Sequence, residues 1–284
     1  LATAVGLAPP RAFGLRPHDL DLEPGPTHGA GGAADRERPA RVTAILACCT
    51  RDDSMPLEAR REAAWDLPLG DRMARLLRIV QLTEQGASLE VTVPCSQPGC
   101  RQRLTLDLPF DSMLEHARGT RARADGSGSH LIELPRAGGT LALRLPTGRD
   151  QCAWQRNPRA NPAEAMAAVV RSLVVRGTGP DTGDDEAWHP EVLQAMAEAM
   201  EQADPLVAFA VETVCPHCGC SLRLPLDLES VALDRLTRWR RRLMEDLHLL
   251  ASHYGWTEEA ILAIPARRRA EYREAIRSSE RMAP

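Results

Sequence analysis

Two stretches decide how this chain is read: residues 89–114, LEVTVPCSQPGCRQRLTLDLPFDSML, and residues 209–233, FAVETVCPHCGCSLRLPLDLESVAL. In the first, Leu89, Val91 and Val93 alternate before a cysteine pair, and Leu104, Leu106 and Leu108 alternate after it. In the second, Phe209, Val211 and Thr213 take the matching places before the pair, with Leu222, Leu224 and Leu226 after it. Side chains in a strand alternate between faces, so a period of two on both sides of a tight turn predicts a β-hairpin with the cysteines at its tip. Each hairpin runs into an acidic, helix-starting step, Asp111-Ser112 and Glu229-Ser230. The pattern predicts an internal duplication.

Outward from the hairpins the match continues. Asp71 to Gln81 carries Met73, Leu76, Leu77 and Val80 at helical spacing, and Pro190 opens a helix bearing Val192, Leu193, Met196 and Met200. An earlier helix is expected at Asn161-Pro162-Ala163-Glu164, where an Asn cap precedes Glu by three residues. Its first-half partner would be the segment from Arg41 to Cys49. Each half then reads helix, variable loop, helix, hairpin, helix. Between the halves, Leu131–Leu134 and Thr140–Leu145 flank Arg136-Ala137-Gly138-Gly139 as a third hairpin, before a turn at Pro146-Thr147-Gly148. Its strands would either extend a sheet shared by both halves or cover one half.

Past residue 228 the pattern changes. Leu236, Trp239, Leu243, Leu247, Leu250 and Tyr254 follow steps of three and four, which predicts one long amphipathic helix with Gly255 as its C-terminal cap. Thr257 would cap a short helix from Glu258 to Ala263, and Pro265 would start a last, Arg-rich helix to about Arg277. The expected fold class is α+β: internally duplicated units of helix plus zinc-ribbon-like β-hairpin, with a C-terminal all-helical extension. The expected divisions are a disordered leader (1–40), a first repeat (41–125), a connecting β-hairpin (126–155), a second repeat (156–228) and a helical segment (229–284).

Composition removes several functions. All 35 basic residues are Arg and none is Lys, which excludes a Schiff-base lysine, a phosphate-loop lysine and a kinase lysine. The net charge is −4 and aromatics are 4%, which disfavours a nucleic-acid coat and stacking platforms for single strands. Residues 229–284 hold 11 Arg against 9 acidic residues, so the cluster Arg238, Arg240, Arg241 and Arg242 reads as a solvated helix face. No apolar run reaches a membrane span, and Leu1–Pro10 lacks the basic start of a signal peptide. A reducing cytoplasm is the expected compartment, which makes the eight cysteines ligands or buried thiols rather than bridges.

The sharpest chemistry is Cys215-Pro216-His217-Cys218-Gly219. A C-P-x-C-G turn aims two thiolates the same way, and its glycine permits positive φ. The first hairpin offers Cys95 and Cys100 at longer spacing, with Pro98-Gly99 supplying the bend. Neither hairpin holds two complete pairs, but two related hairpins do. The expectation is one structural Zn²⁺ shared by Cys95, Cys100, Cys215 and Cys218, with Cys220 and His217 as alternative ligands and a redox pair as the competing reading. Cys48, Cys49 and Cys152 sit in apolar or loop settings and are not expected to be ligands. His248 and His253 are five apart, off the shared face that a helical metal pair needs, and His116, His130 and His189 have no partner pattern. The GSGSH stretch before Leu131 reads as a loop. No GxSxG, HExxH or phosphate-cradling glycine loop is present, so no catalytic residue is assigned.

The C-terminal string LMEDLHLLASHYGWTEEAILAIPARRRAEY resembles the T-even-like phage baseplate hub assembly family, also found in phage-tail-like contractile injection systems. The residues that carry the resemblance are His248, Leu250, Ala251, Tyr254, Trp256, Ile261, Leu262, Pro265, Arg268 and Tyr272. The CPHCG turn followed by LRLPLDL, and LRLPTGRD at Leu143 to Asp150, look similar too, whereas the Cys95–Cys100 spacing is longer than the family's knuckle. The resemblance implies a non-enzymatic structural or chaperone-like assembly component. Its partners would be other baseplate, hub or spike proteins, met in the cytoplasm during assembly, after which the protein would either stay in the particle or leave it. Tyr254 and Trp256 would either dock such a partner or seal the corner between helices. The alternative function is a zinc-ribbon nucleic-acid-binding adaptor.

Overall fold

The computed structural model describes residues 33–50, 54–115, 117, 131–136, 139–156, 161–175 and 190–282. The leader up to residue 32, the GSGSH stretch, the third hairpin's tip at Ala137-Gly138, and His116, His130 and His189 lie outside them. Among the described residues the architecture is α+β, with three separate two-stranded antiparallel sheets among helices and a helical C-terminus. Among the described residues no helix is long and apolar enough to cross a membrane.

Helices α1 (Ala33–Cys49), α2 (Leu57–Asp66) and α3 (Leu69–Glu84) precede the first hairpin, β1 (Ser88–Pro94) and β2 (Arg103–Pro109). The second hairpin, β5 (Ala210–Val214) and β6 (Ser221–Pro225), leads into the long helix α7 (Leu228–Tyr254). The alternation expected from sequence sets the register: Leu89, Val91 and Val93 face Leu108, Leu106 and Leu104, and Val211 and Thr213 face Leu224 and Leu222. All six of these leucines in β2 and β6, counting Leu226 just past β6, are buried in one core with Phe110, Leu76, Leu77, Val80 and the first turns of α7. Both hairpins therefore close on a single core. Helix starts at Phe110 after β2 and at Leu228 after β6, close to the acidic steps, and Asp227 caps α7 by accepting from Ser230 N at 3.0 Å.

Three expectations need correction. Helix α1 begins at Ala33, inside the stretch assigned to a disordered leader, where Pro39 is buried and Arg38 pairs with Asp227 at 2.7 Å. The loop between the first-half helices holds α2, which buries only Ala64 and so carries no apolar stripe to signal it. The turn at Pro146-Thr147-Gly148 opens a further helix, α4 (Gly148–Arg156), started by Asp150, which accepts from the Thr147 N–H and hydroxyl at 2.8 Å each. The third hairpin, β3 (Leu131–Arg136) and β4 (Gly139–Arg144), does not extend a shared sheet; of the two placements expected it takes the second and covers helices of the second half. It packs on α5 (Pro162–Leu173) and α6 (Pro190–Ala203) in a core of its own around Leu141, Leu143, Val170 and Met196.

Two Leu-Pro-x-Gly stretches, residues 67–70 and 145–148, join these parts. Pro68 bridges to Thr147, and the Leu69 N–H donates to Pro146 O at 2.8 Å. Each glycine lets a charged group lie flat on the backbone. At Gly70 it is Asp204, only 2% exposed, whose carboxylate accepts the Gly70 N–H at 2.8 Å and serves as the N-terminal cap that Pro68 cannot provide for α3. At Gly148 it is Arg72, 1% exposed, which donates to Ala64 O (2.6 Å) and Pro39 O (2.9 Å) and lies over the Trp65 ring. Burial pushes the Arg72 guanidinium down to about 10, against the opposing pull of Glu229. Glu229, itself buried, accepts from Gln151. This charged seam ties α1, α2, α3, α4 and α7 together.

The C-terminal unit follows its sequence pattern closely. Gly255 ends α7 at φ +66 and donates to Ala251 O, Thr257 caps α8 (Glu258–Ala263), and α9 (Ala266–Met282) runs past the expected end at Arg277. Leu243, Leu247, Leu250, Ile261 and Ile276 form its core, with Trp239, Trp256 and Tyr272 packed against it. Trp256 stacks on Tyr254 at 4.6 Å and meets Tyr272 edge-on, so the pair seals the corner between α7 and α9 while Tyr254 stays 36% exposed.

Candidate metal centre

The two hairpin tips meet. Loop 95–102 and loop 215–220 bring the sulfurs of Cys95, Cys100, Cys215 and Cys218 within 4.8 Å of one another. Cys95 Sγ lies 3.9 Å from Cys218 Sγ, and Cys100 Sγ lies 3.9 Å from Cys215 Sγ. Those distances are far beyond a disulfide bond of about 2.05 Å. They match the edge of a tetrahedron of sulfurs around an ion at about 2.3 Å, which is roughly 3.8 Å. Each hairpin contributes one pair, and each of these contacts joins a sulfur of one hairpin to a sulfur of the other.

The two turns share one local geometry despite their unequal spacing. The Cys95 N–H donates across the loop to Gln102 O (2.7 Å), as the Cys215 N–H does to Cys220 O (2.9 Å). The residue after the second cysteine is left-handed in both: Gly219 at φ +72 and Arg101 at φ +51. The first turn bends at Pro98-Gly99 as the sequence suggested, closed by the Cys100 N–H on Gln97 O at 3.0 Å, and its left-handed residue is Arg101. A side chain in that region is strained by about 1 kcal/mol. Arg101 is exposed and has little packing to lose. Arg101→Gly is therefore expected to raise stability to urea by up to about 1 kcal/mol, less the extra freedom glycine gives the unfolded chain.

Backbone amides surround the sulfurs. The Gln97 N–H donates to Cys95 and holds its thiol down, but burial and the neighbouring thiols outweigh it and push Cys95 up to about 12. Cys100 rises likewise, with the Gln102 N–H opposing burial and the thiols of Cys218 and Cys215. Cys215 goes the other way: burial pushes it up, yet the N–H groups of His217 and Cys218 and the adjoining thiols bring it down to about 7. The amide dipoles behind Cys95, Cys100 and Cys215 favour negative charge on those sulfurs. Four convergent sulfurs with N–H donors behind them fit a borderline-soft, four-coordinate cation, because donor type, number and spacing all agree.

Cys220 and His217 are not among the four; both line the solvent-open depression beside Cys100 and Cys218. Cys49 is buried against the hairpin core, and burial pushes its thiol well above the usual range. Cys48 and Cys152 are half-buried away from the set. His253 meets Tyr254 edge-on at 4.7 Å. Compared with known proteins, the chain matches no family model, no curated protein and no solved structure.

Proposed function

We propose that this chain is a non-enzymatic structural or assembly protein whose two hairpins are clasped by one structural Zn²⁺ on Cys95, Cys100, Cys215 and Cys218. The observation that carries the reading is the convergence of four sulfurs from turns more than a hundred residues apart in sequence, at tetrahedral spacing. A set of four thiolates fills the coordination of zinc and leaves no position for a water or a substrate, so the ion's chemistry is that of a cross-link. Its binding free energy becomes folding free energy, because the unfolded chain holds no preformed site.

The paired turns also support the duplication. Register, cross-loop hydrogen bond, left-handed residue and following helix recur in both hairpins. The repeat on this reading is the hairpin, its knuckle and the helix after it. The helices upstream diverged, since α1–α3 join the shared core whereas α5 and α6 pack on β3 and β4.

The setting we propose is the baseplate hub of a phage or a phage-tail-like contractile injection system. Its support is the resemblance of the C-terminal string, whose residues fold as one helical unit with Tyr254 exposed at its margin. Native mass spectrometry of protein purified without chelator is expected to give one zinc per chain; two ions or none would contradict the clasp. For the setting, the chain is expected to co-purify with the hub or spike protein encoded beside it, and Tyr254→Arg to weaken that capture. No capture, and a gene neighbourhood free of sheath, tube and spike genes, would contradict it.

A further inference from the structure

The four-sulfur set leaves a fifth thiol beside it. Cys220 lies two residues beyond Cys218, across Gly219. Its thiol points back at the Cys218 backbone, 3.9 Å from the Cys218 carbonyl oxygen. Cys218 is the one exposed member of the set, whereas Cys95 and Cys215 are buried. Cys218 and Cys220 line the same solvent-open depression, so a small solute reaches both. No atom lies within 4 Å of the place where a Gly219 Cβ would sit, which leaves that side of the Cys-Gly-Cys bend open.

The first hairpin has no counterpart to this thiol. The cross-loop hydrogen bonds put Gln102 where the second hairpin has Cys220. A tetrahedral ion takes four ligands, so the clasp itself gives the fifth thiol no task. Its position next to the most accessible ligand does.

We propose that Cys218 and Cys220 form a peroxide-oxidisable dithiol that opens the clasp, an inference that rests on the metal reading above. The Cys218 sulfur attacks one oxygen of a hydroperoxide; the O–O bond breaks, hydroxide leaves and Cys218 becomes a sulfenic acid. The Cys220 sulfur then attacks that sulfur. An S–S bond forms, the S–O bond breaks, and the hydroxyl departs as water with the Cys220 proton. Two electrons pass from the two sulfurs to one peroxide. The ion loses a thiolate ligand and is released, and a reducing dithiol restores the site by exchange. Cys220 thus also protects Cys218, because it captures the sulfenic acid before a second oxidation makes it irreversible.

The test treats the full chain with hydrogen peroxide, follows zinc with a chromogenic chelator and maps disulfides by peptide mass spectrometry. The expected result is zinc release in step with a Cys218–Cys220 disulfide, and full reloading after dithiothreitol and zinc. Cys220→Ser is expected to carry the same zinc before treatment, but to reload about fivefold less afterwards because Cys218 has become a sulfinic acid. A disulfide on any other pair, or reloading of Cys220→Ser as complete as the parent's, overturns the proposal. Zinc in the untreated protein is measured first. Its absence would refute the metal reading by itself, while the disulfide map would still decide which pair is oxidised.

Discussion

Cys215→Ser is expected to abolish zinc binding and to cost most of the stability of the hairpin core. Cys215 is fully buried, its sulfur accepts from two backbone amides, and it faces Cys100 from the other hairpin. Structural zinc sites contribute on the order of 10 kcal/mol, which is comparable to the whole net stability of a typical domain. A serine hydroxyl is a poor zinc ligand at neutral pH and leaves the ion with three sulfurs. The core beneath the site draws leucines from both hairpins and from α7, so opening the tips exposes apolar surface from each. Thermal denaturation should show the main transition lowered steeply in Cys215→Ser, and lowered similarly when the parent is stripped with a strong chelator. Cys152→Ser, at a half-buried thiol away from the site, should stay within about 0.5 kcal/mol of the parent. A Cys215→Ser protein as stable as Cys152→Ser would count against the clasp.

Gly70→Ala is the second large effect expected. A Cβ built on Gly70 would lie 1.6 Å from Asp204 Oδ1. The neighbour that must give way is a carboxylate with 2% exposure, so it cannot swing into water without dragging the end of α6 with it. Displacing it also removes the cap on α3, whose own Pro68 offers no side-chain hydrogen bond. Overpacking and the loss of a buried charged hydrogen bond together should cost about 3–5 kcal/mol in urea denaturation. The chain runs from Asp204 through the buried Leu206 into β5, so this contact fixes the second hairpin against α3. Asp204→Ala should cost about 2 kcal/mol alone, and the pair of substitutions should cost clearly less than their sum, because the clash disappears with the carboxylate. Strict additivity would show that the two residues are not coupled.

The sequence carried the parts of this fold whose burial is periodic. Leu104, Leu106 and Leu108, and Leu222, Leu224 and Leu226, alternate because one face of each hairpin is covered. The C-terminal helices were legible for the same reason, down to Gly255 and Thr257 at their ends. The convergence of Cys95, Cys100, Cys215 and Cys218 was legible because two pairs recur at equivalent turns. Helix α2 was not, since its contact with the rest rests on Ala64 and on ion pairs, among them Arg149 with Glu62 and Asp66. Arg72, Asp204 and Glu229 were missed because nothing in composition marks which charged residues are buried. The signal that could have found them is the repeated Leu-Pro-x-Gly, where each glycine admits one of those side chains or its partner. The bend at Pro98-Gly99 was legible, but the left-handed Arg101 was not, because such backbone usually selects glycine and here the turn imposed it on an arginine.

What the four sulfurs hold is read directly by X-ray absorption at the zinc edge. The prediction is a single shell of four sulfurs at about 2.3 Å, with no nitrogen or oxygen neighbour. A first shell containing nitrogen would place His217 in the coordination sphere, and no zinc signal from protein purified without chelator would leave the hairpins without their clasp.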